Sequence, residues 1–324
     1  MQDTHFYAAT PIPELYRWFA GEAAPTSPIW EDVCLYIADH AGLAELLDSL
    51  PGRKRQPNLF LAAIRYLGGP VSPGEPLASW ARDNWGEIRA LILSRATQTN
   101  EPGRTAVVAP LLASLPQPVA LLEVGASAGL CLIPDRYRYS FDGELVAGIN
   151  AAPDAPVMQC RVEGELPGSP SELRIAARLG LDLNPLNAAD PDDARWLRAL
   201  VWPGEEEREQ RLMAALGAAA VDPPTVLGGS APADLRLLLD AIPDGATPVI
   251  LHSATLAYLA RPDRDAFVDA VRGAGVRWVS FEGPTVVTSL KGRAPDPGLP
   301  HFIVGLDGDP VAVASPHGGW VRWL

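Results

Sequence analysis

The chain has 324 residues, of which 48% are hydrophobic, and this composition is sufficient for a large packed core. Its formal net charge of −13 at pH 7 opposes contact with a phosphate backbone, so we expect no nucleic-acid partner. The three cysteines are widely spaced and the five histidines are scattered, which predicts neither a disulfide framework nor a metal site.

The N-terminal sequence favours neither a signal peptide nor a membrane anchor. It lacks a basic start followed by a continuous apolar stretch, and no uncharged apolar run approaches the roughly 18 residues of a membrane-spanning helix. We therefore expect a cytoplasmic protein with no membrane partner. The sequence leaves the oligomeric state open.

Helical patterns fill the first third of the chain. Apolar residues at i, i+3 and i+4 spacing predict four helices, over 14–20, 30–50, 59–67 and 77–95. Asn100 is then a predicted helix cap, because an acid and a proline follow it, and this helix would end near Leu115. These patterns predict an N-terminal helical cap region over residues 1–116.

The segment 119–130 has the sequence VALLEVGASAGL and is the most informative in the chain. Its first six residues suit a strand that is buried on both faces of a parallel sheet. Gly125, Ser127 and Gly129 then allow the backbone to turn tightly beside a ligand before a helix begins. Glu123 places a carboxylate at the strand end, just before this turn.

The remaining sequence alternates helical and strand patterns. A hairpin over 137–147, with Asp142 and Gly143 in its turn, is predicted as an insertion. Helices are predicted over 172–179, 194–200, 205–220, 235–242 and 263–273. Strands are predicted over 223–227, 248–252 and 276–281, with a closing hairpin of 301–306 and 311–314. This order predicts an α/β domain over residues 117–324, with a doubly wound, Rossmann-like sheet and an antiparallel C-terminal hairpin.

Two known motifs share the letters of the glycine turn. The pattern E-x-G-x-S-x-G resembles the first motif of class I S-adenosylmethionine-dependent methyltransferases, whose turn cradles the amino-acid part of the cofactor. In that resemblance the carboxylate orders the loop or binds the methionine ammonium. The pattern G-x-S-x-G also resembles the nucleophile elbow of α/β-hydrolases. Ser127 would then be a nucleophile, with Asp182 or Asp240 and His252 or His317 completing a triad.

Two features favour the methyltransferase interpretation over the hydrolase. An elbow normally follows several strands and an oxyanion loop, whereas the chain before residue 119 has a mostly helical pattern. Glu123 would also add negative charge beside a nucleophile that develops negative charge in its transition state. A turn that binds no ligand is the third interpretation.

Several motifs together resemble one bacterial family, rich in actinobacterial members and known only as a domain of unknown function. They are Arg55-Gln56-Pro57-Asn58, Gln98-Thr99-Asn100-Glu101, residues 122–130, Asp135-Arg136-Tyr137, Val201-Trp202-Pro203, His252-Ser253 and the ending 317–321. The resemblance implies a methyltransferase-type sheet, S-adenosylmethionine as cofactor and no particular substrate. Family members tend to have Asn where Cys131 stands, so any polar contact from that position is in doubt.

The candidate cofactor ligands include an acid for the ribose. A carboxylate about 20 residues past the glycine turn commonly binds ribose hydroxyls, and Asp142 has this spacing. Asp182 is the alternative if the hairpin is an insertion. Ser230, after two glycines, is a weaker candidate for contact with adenine.

His252 is the predicted general base, with Tyr258 as a possible second group. His252 ends a buried strand on the side where open α/β sheets bind ligands, and imidazole suits proton transfer near neutral pH. The alternative interpretation is a structural histidine that hydrogen-bonds at the strand end.

Polar residues before and after the turn complete the predicted pocket: Asn58, Gln98, Asn100, Arg104, Asp135 and Tyr137. Arg104 would pair with a carboxylate of cofactor or substrate as a bidentate fork. The alternative is that Asn100 caps a helix and Arg104 forms a surface ion pair.

The sequence thus favours a methyltransferase acting on a small molecule over a serine hydrolase or a non-catalytic cofactor-binding protein.

Overall fold

The computed structural model describes residues 4–98 and 100–324, so Thr99, which belongs to one of the family motifs, lies outside the described residues. The chain divides into two compact units. Residues 4–98 and 191–210 form the first, and residues 100–190 and 211–324 form the second. Within these ranges no helix combines the length and the apolar character needed to cross a membrane.

The described helices are α1 (Thr4–Ala9), α2 (Ile12–Ala23), α3 (Pro28–Asp39), α4 (Ala41–Asp48), α5 (Pro57–Leu67), α6 (Glu75–Asp83), α7 (Trp85–Ser94), α8 (Thr105–Ala113), α9 (Pro191–Ala199), α10 (Glu206–Ala220), α11 (Arg236–Leu239) and α12 (Arg261–Gly273). The described strands are β1 (Val119–Val124), β2 (Arg138–Phe141), β3 (Glu144–Ala147), β4 (Val157–Glu163), β5 (Ile175–Asp182), β6 (Thr225–Gly228), β7 (Thr247–Ser253), β8 (Arg277–Glu282), β9 (Phe302–Leu306), β10 (Asp309–Ala314) and β11 (Trp320–Trp323).

The first unit is helical, as the sequence predicts, but two of its predicted helices are each broken into two. The 30–50 pattern is interrupted at His40, which has extended backbone and accepts the Leu43 N–H at Nδ1 over 3.2 Å. The 77–95 pattern is interrupted at Asn84, whose side chain donates to Trp80 O. In each case one polar side chain hydrogen-bonds to a backbone group that has no partner within the helix. The break therefore costs little free energy of folding.

The segment 191–210 joins the first unit through hydrogen bonds rather than through sequence proximity. Arg65 donates to Glu209 at 2.8 Å and to Val201 O, and Trp196 Nε1 donates to Ala96 O at 3.0 Å. In the chain this segment lies between strands β5 and β6, and its packing with the first unit depends on tertiary contacts that hydrophobic periodicity does not reveal.

The second unit is built on one sheet of eleven strands in the order β3-β2-β4-β11-β10-β9-β8-β7-β1-β5-β6. The five strands β8, β7, β1, β5 and β6 are parallel, and β1 lies in the middle of them. The next parallel strands in the chain, β5 and β6, lie on one side of β1, and the later strands β7 and β8 lie on the other side. This reversal places a topological switch point at β1, where open α/β sheets bind ligands.

The expected mixed α/β architecture is thus confirmed, as are both predicted hairpins. Strands β2 and β3 pair antiparallel, and so do β9 and β10. Strand β9 then pairs antiparallel with β8, which joins the hairpin directly to the parallel part of the sheet. Strands β4 and β11, which the sequence analysis did not predict, connect the two hairpins.

The prediction of an α-helix over 172–179 is wrong, because residues 175–179 belong to β5. This strand pairs on one side with β1 and on the other with β6. Pairing with two neighbours satisfies the backbone of a segment whose local preference was helical, so tertiary context overrides propensity.

The predicted helix after the glycine turn does not form either. The described residues there contain two short 3₁₀ helices, Leu130–Leu132 and Pro134–Arg136. Pro134 lacks an N–H and disfavours helical backbone at the residue before it, so a longer helix is blocked. The predicted helix from Glu101 is instead a 3₁₀ turn, Pro102–Arg104, followed by α8.

A buried ion pair stabilises this connection. Asp135 is fully buried and binds Arg178 of β5 through both carboxylate oxygens, at 2.8 and 2.9 Å, while Asn150 donates to it at 2.8 Å. Asp135, predicted as a pocket residue, therefore has a structural role in this geometry.

We expect Asp135→Ala to lower the free energy of unfolding by about 3–5 kcal/mol, because it leaves the Arg178 charge without its partner. The matched control is Asp240→Ala, which removes an ion pair whose side chains are 62% and 80% exposed and should change stability by about 0.5 kcal/mol or less. Urea denaturation of both variants measures the difference. Similar losses in the two variants would contradict the structural role of Asp135.

Candidate functional site

The glycine turn follows β1 and is bound to the end of β5. Gly125, Ser127 and Gly129 have positive φ angles of 76°, 53° and 74°. The N–H of Gly125 donates to Leu181 O and the N–H of Ser127 donates to the Asp182 carboxylate, each at 2.8 Å. The carboxylate at the end of β5 thus fixes the middle of the turn.

The glycines of the turn leave room for neighbouring protein atoms. A Cβ at Gly125 would lie 2.2 Å from Thr255 Oγ1, and a Cβ at Gly129 would lie 2.9 Å from Pro224 Cβ. Small residues are therefore required here for internal packing. The sequence analysis assigned this space to a ligand alone.

Glu123 is the most unusual side chain of the site. It is 3% exposed, and its Oε2 has no hydrogen-bond partner among the described residues, a condition that it shares with Ser127 Oγ and Glu282 Oε2. Burial raises the pKa of Glu123 well above its usual value, Arg104 opposes this shift, and Asp182 adds to it. Buried polar atoms are nearly always paired, so Glu123 Oε2 and Ser127 Oγ are exceptions to that rule.

Arg104 lies on the same side of the sheet and is also buried, with 3% exposure. Its Nε donates to Pro316 O at 2.9 Å, and its Nη1 donates to Ser253 O at 3.1 Å and to Ser253 Oγ at 3.3 Å. It forms no ion pair with any carboxylate in the described part of the chain. The alternative of a surface ion pair for Arg104 is therefore wrong, and a buried cation is held by neutral dipoles.

Asn100 contacts the glycine turn directly. Its Nδ2 donates to Ala126 O at 3.3 Å, whereas the cap of the following turn is Glu101, whose Oε1 accepts from Gly103 N at 3.0 Å. The capping interpretation of Asn100 is wrong. Asn100 and Arg104 thus both lie beside the turn, where the sequence placed them.

The two candidate ribose acids lie in different places. Asp182 ends β5 next to the turn, and its oxygens accept from the N–H groups of Ser127 and Asn184. Asp142 lies in the β2–β3 turn, where it accepts from Val162 N, and six strands separate β2 from β1 in the sheet order. Of these two acids, the structure brings only Asp182 to the glycine turn. Ser230 follows β6, and its N–H donates to Asp234.

His252 is fully buried, and both of its ring nitrogens are bonded. Its Nδ1 lies 2.8 Å from Glu282 Oε1, and its Nε2 lies 2.9 Å from Trp278 Nε1. Since an indole nitrogen only donates, Nε2 is the acceptor and the proton sits on Nδ1. His252 has no lone pair available for proton transfer, so this geometry corresponds to the structural alternative. It also lies on the Val124 face of the sheet, opposite Glu123.

Glu282 explains why His252 is held in this way. Its Oε1 also accepts the N–H groups of Thr255 and Leu256, at 2.8 and 2.9 Å. The carboxylate at the end of β8 therefore fixes the loop after β7, which carries Thr255 to Gly125. Glu282 directly follows the predicted strand 276–281. An acid at the end of a buried strand was the available signal.

The other predicted residues have separate positions. Tyr258 is 44% exposed at the end of a short 3₁₀ helix, and Tyr137 is buried and donates to Leu130 O at 2.9 Å. Asn58 and Gln98 belong to the helical unit, where Asn58 Oδ1 accepts from Trp202 Nε1 at 3.0 Å. The ligand-binding roles of these residues stay predictions.

The hydrolase alternative lacks a base at Ser127. Ser127 Oγ has no hydrogen-bond partner among the described residues, and His252 is fully bonded elsewhere. His317 places its Nδ1 3.5 Å from Glu101 Oε2. A serine nucleophile needs a hydrogen-bonded base, so this arrangement does not favour a triad.

Comparison with protein families matches residues 68–323 to the family described as "Uncharacterized protein conserved in bacteria (DUF2332)". The chain belongs to this family. The predicted membership of an uncharacterised bacterial family is thereby confirmed. No curated protein and no solved structure gives a significant match.

We expect Gly125→Ala to lower the free energy of unfolding by about 2 kcal/mol or more, from the positive φ and the overlap with Thr255. Adding Thr255→Ala should recover part of the loss. The control is Gly217→Ala in α10, where no atom lies within 4 Å of the new Cβ, and a gain of about 0.5–1 kcal/mol is expected. Thermal and urea unfolding test this, and unchanged stability of Gly125→Ala would show that the turn is open.

The His252 geometry predicts that Trp278→Phe destabilises the protein by about 1–3 kcal/mol, because Nε2 of a buried histidine loses its donor. Trp323→Phe is the matched control, because the buried Trp323 Nε1 has no partner in the described part of the chain. The same indole-to-phenyl change should there be close to neutral. Equal unfolding free energies for the two variants would contradict the assigned hydrogen bond.

Proposed function

We propose that this protein binds S-adenosylmethionine at the glycine turn and transfers its methyl group to a small molecule. The observation that carries the proposal is that an acidic and a basic side chain, Glu123 and Arg104, are both buried beside the turn, and neither forms an ion pair in the described residues. The pair lies at the switch point of the sheet, beside three residues of positive φ.

An amino-acid zwitterion complements these two side chains. The methionine part of the cofactor offers an ammonium group, which fits the unpaired oxygen of Glu123, and a carboxylate, which fits the guanidinium of Arg104. Charge-assisted hydrogen bonds of this kind are strong where water is excluded. Asn100, which already reaches Ala126 O, would keep the turn in place beside them.

Asp182 is the residue that we assign to the ribose. It ends β5, on the same face of the sheet as Glu123, because Glu123 pairs with Gly180 and alternate residues share a face. A carboxylate has about four acceptor sites, so the two backbone N–H groups that Asp182 binds leave room for a hydroxyl.

The arrangement of the five parallel strands supports a methyltransferase-type core, in which the central strand precedes the glycine turn. The absence of an α-helix between the turn and β2 in the described chain departs from that type, as does the close packing of Thr255 on Gly125. These departures concern the wall of the site, while the charged groups at its base are retained.

When bound, S-adenosylmethionine supplies an activated methyl group, so the protein need only hold and orient the reactants. Glu123, Arg104 and Asp182 would hold the cofactor, and the packed turn excludes water from Glu123. His252 contributes by fixing the loop after β7 through Glu282 and is not assigned a proton-transfer step.

Titration calorimetry with S-adenosylmethionine and S-adenosylhomocysteine tests the proposal. We expect both to bind, and Glu123→Gln and Arg104→Met to weaken binding about tenfold or more, because each removes a charge-assisted contact. Asp182→Asn should also weaken binding. Asp142→Asn, on the other flank of the sheet, is the matched control and should leave the affinity unchanged.

The affinity should increase with pH, because Glu123 must release its proton before it can accept an ammonium group, and this dependence should disappear in Glu123→Gln. No binding at millimolar ligand would refute the proposal. Binding without methyl transfer to any compound in a small-molecule panel would favour a non-catalytic cofactor-binding protein instead.

A further inference from the structure

Arg211 is a partly buried arginine of α10 that is held through a single nitrogen. Its side chain is 23% exposed, and its Nε donates at 2.9 Å to Oε1 of Glu101, a carboxylate that is 1% exposed. Neither Nη1 nor Nη2 of Arg211 forms a hydrogen bond in the described part of the chain. Glu101 therefore fixes the guanidinium while its two Nη groups stay unpaired.

Other arginines of similar exposure in this protein use their Nη groups. Arg65, Arg136 and Arg178 are 18%, 20% and 18% exposed, and each donates from both Nη atoms to protein oxygens. A guanidinium has five N–H donors, and only the Nε donor of Arg211 has a partner among the described residues. Arg211 thus departs from the pattern that the rest of the molecule follows.

The segment that holds Arg211 lies beside the glycine turn. Asn100, the residue before Glu101, donates to Ala126 O at 3.3 Å. The main-chain carbonyl of Glu101 accepts from Cys131 Sγ, two residues after the turn, at 3.6 Å. The Glu101 carboxylate therefore attaches Arg211 to the segment that contacts the turn.

Cationic side chains outnumber acidic ones around this segment. A Cβ at Gly103 would lie 3.1 Å from Arg211 Nε, and the next residue is Arg104, whose Nε and Nη1 contact only neutral oxygens. Glu101 is the one carboxylate that forms an ion pair with either guanidinium in the described residues. The chain as a whole has a net charge of −13, so this local excess of positive charge indicates an anionic ligand.

We propose that Arg211 binds the carboxylate of an acidic small molecule beside the glycine turn. The two Nη groups match the two oxygens of a carboxylate, and a guanidinium that Glu101 already holds loses little side-chain freedom on binding. A monoanion suits the site better than a phosphate dianion, because a single guanidinium faces the ligand in a strongly acidic protein.

This inference rests on the proposed function only where it names the ligand as the methyl acceptor. Arg104 would then hold the carboxylate of the cofactor, and Arg211 would hold the acid group of the second substrate, with Gly103 beside both. The acceptor class is accordingly a small carboxylic acid. Binding of a carboxylate at Arg211 does not itself require the cofactor.

The experiment is a titration of ¹⁵N-arginine-labelled full-length protein with sodium acetate and with sodium benzoate, without S-adenosylmethionine. The guanidinium ¹⁵N signals are followed by NMR, and Arg211→Lys assigns the signal of Arg211. We expect the Arg211 signal to shift saturably, because the carboxylate occupies its unpaired Nη groups. Arg236, which is 80% exposed and pairs with Asp240, is the internal reference and should show no saturable shift.

The affinity for benzoate is then compared among variants by the same titration and by thermal shift. Arg211→Gln should weaken benzoate binding about fivefold or more, because it removes a charge-assisted contact. Arg211→Lys should weaken it less, since lysine keeps the charge but lacks the fork. Arg236→Gln is the matched control and should leave the affinity unchanged.

An Arg211 signal that shifts no more than that of Arg236 would overturn the proposal, and this measurement on the unmutated protein stands even where Arg211→Gln fails to fold. Tighter binding of inorganic phosphate than of benzoate would overturn the assignment to a carboxylate. Carboxylate binding at Arg211 without any binding of S-adenosylmethionine would refute the proposed function alone, and the reverse result would refute this inference alone.

Discussion

The structure depends on how the parallel part of the sheet accommodates three carboxylates at neighbouring strand ends. Asp182 and Glu282 each accept two backbone N–H groups and so fix the glycine turn and the loop after β7. Glu123, on the central strand, has an oxygen with no partner in the described residues. Glu282 Oε2 shares this condition, and burial raises the pKa of Glu123, which favours the protonated carboxyl.

Asp182 and Glu282 fix the two loops beside the central strand. Glu282 holds His252 and, through the following loop, brings Thr255 against Gly125, while Asp182 holds Ser127. The turn is therefore packed on both sides by other parts of the protein. Glu123 and Arg104 lie beside the turn as buried acidic and basic side chains, and the proposal of a bound zwitterion rests on them.

The geometry of His252 differs from the one that its sequence context predicts. His252 follows a buried strand and has the position of a catalytic group, yet Trp278 and Glu282 occupy both of its nitrogens. Proton transfer requires an accessible lone pair as well as a suitable residue type, and accessibility is set by neighbours that are distant in sequence.

The sequence by itself determined the α/β class, the central strand, the glycine turn, both hairpins and the placement of Asn100 and Arg104 near that turn, because these follow from local periodicity and turn chemistry. It did not determine that 175–179 becomes a strand or that β4 and β11 join the two hairpins, since strand pairing is non-local. The sequence also left open which of the two acids, Asp142 or Asp182, lies near the glycine turn. The strand order places Asp182 beside the turn and Asp142 far from it. The two hydrogen bonds of His252 come from residues 26 and 30 positions away, so they are visible only in the tertiary structure.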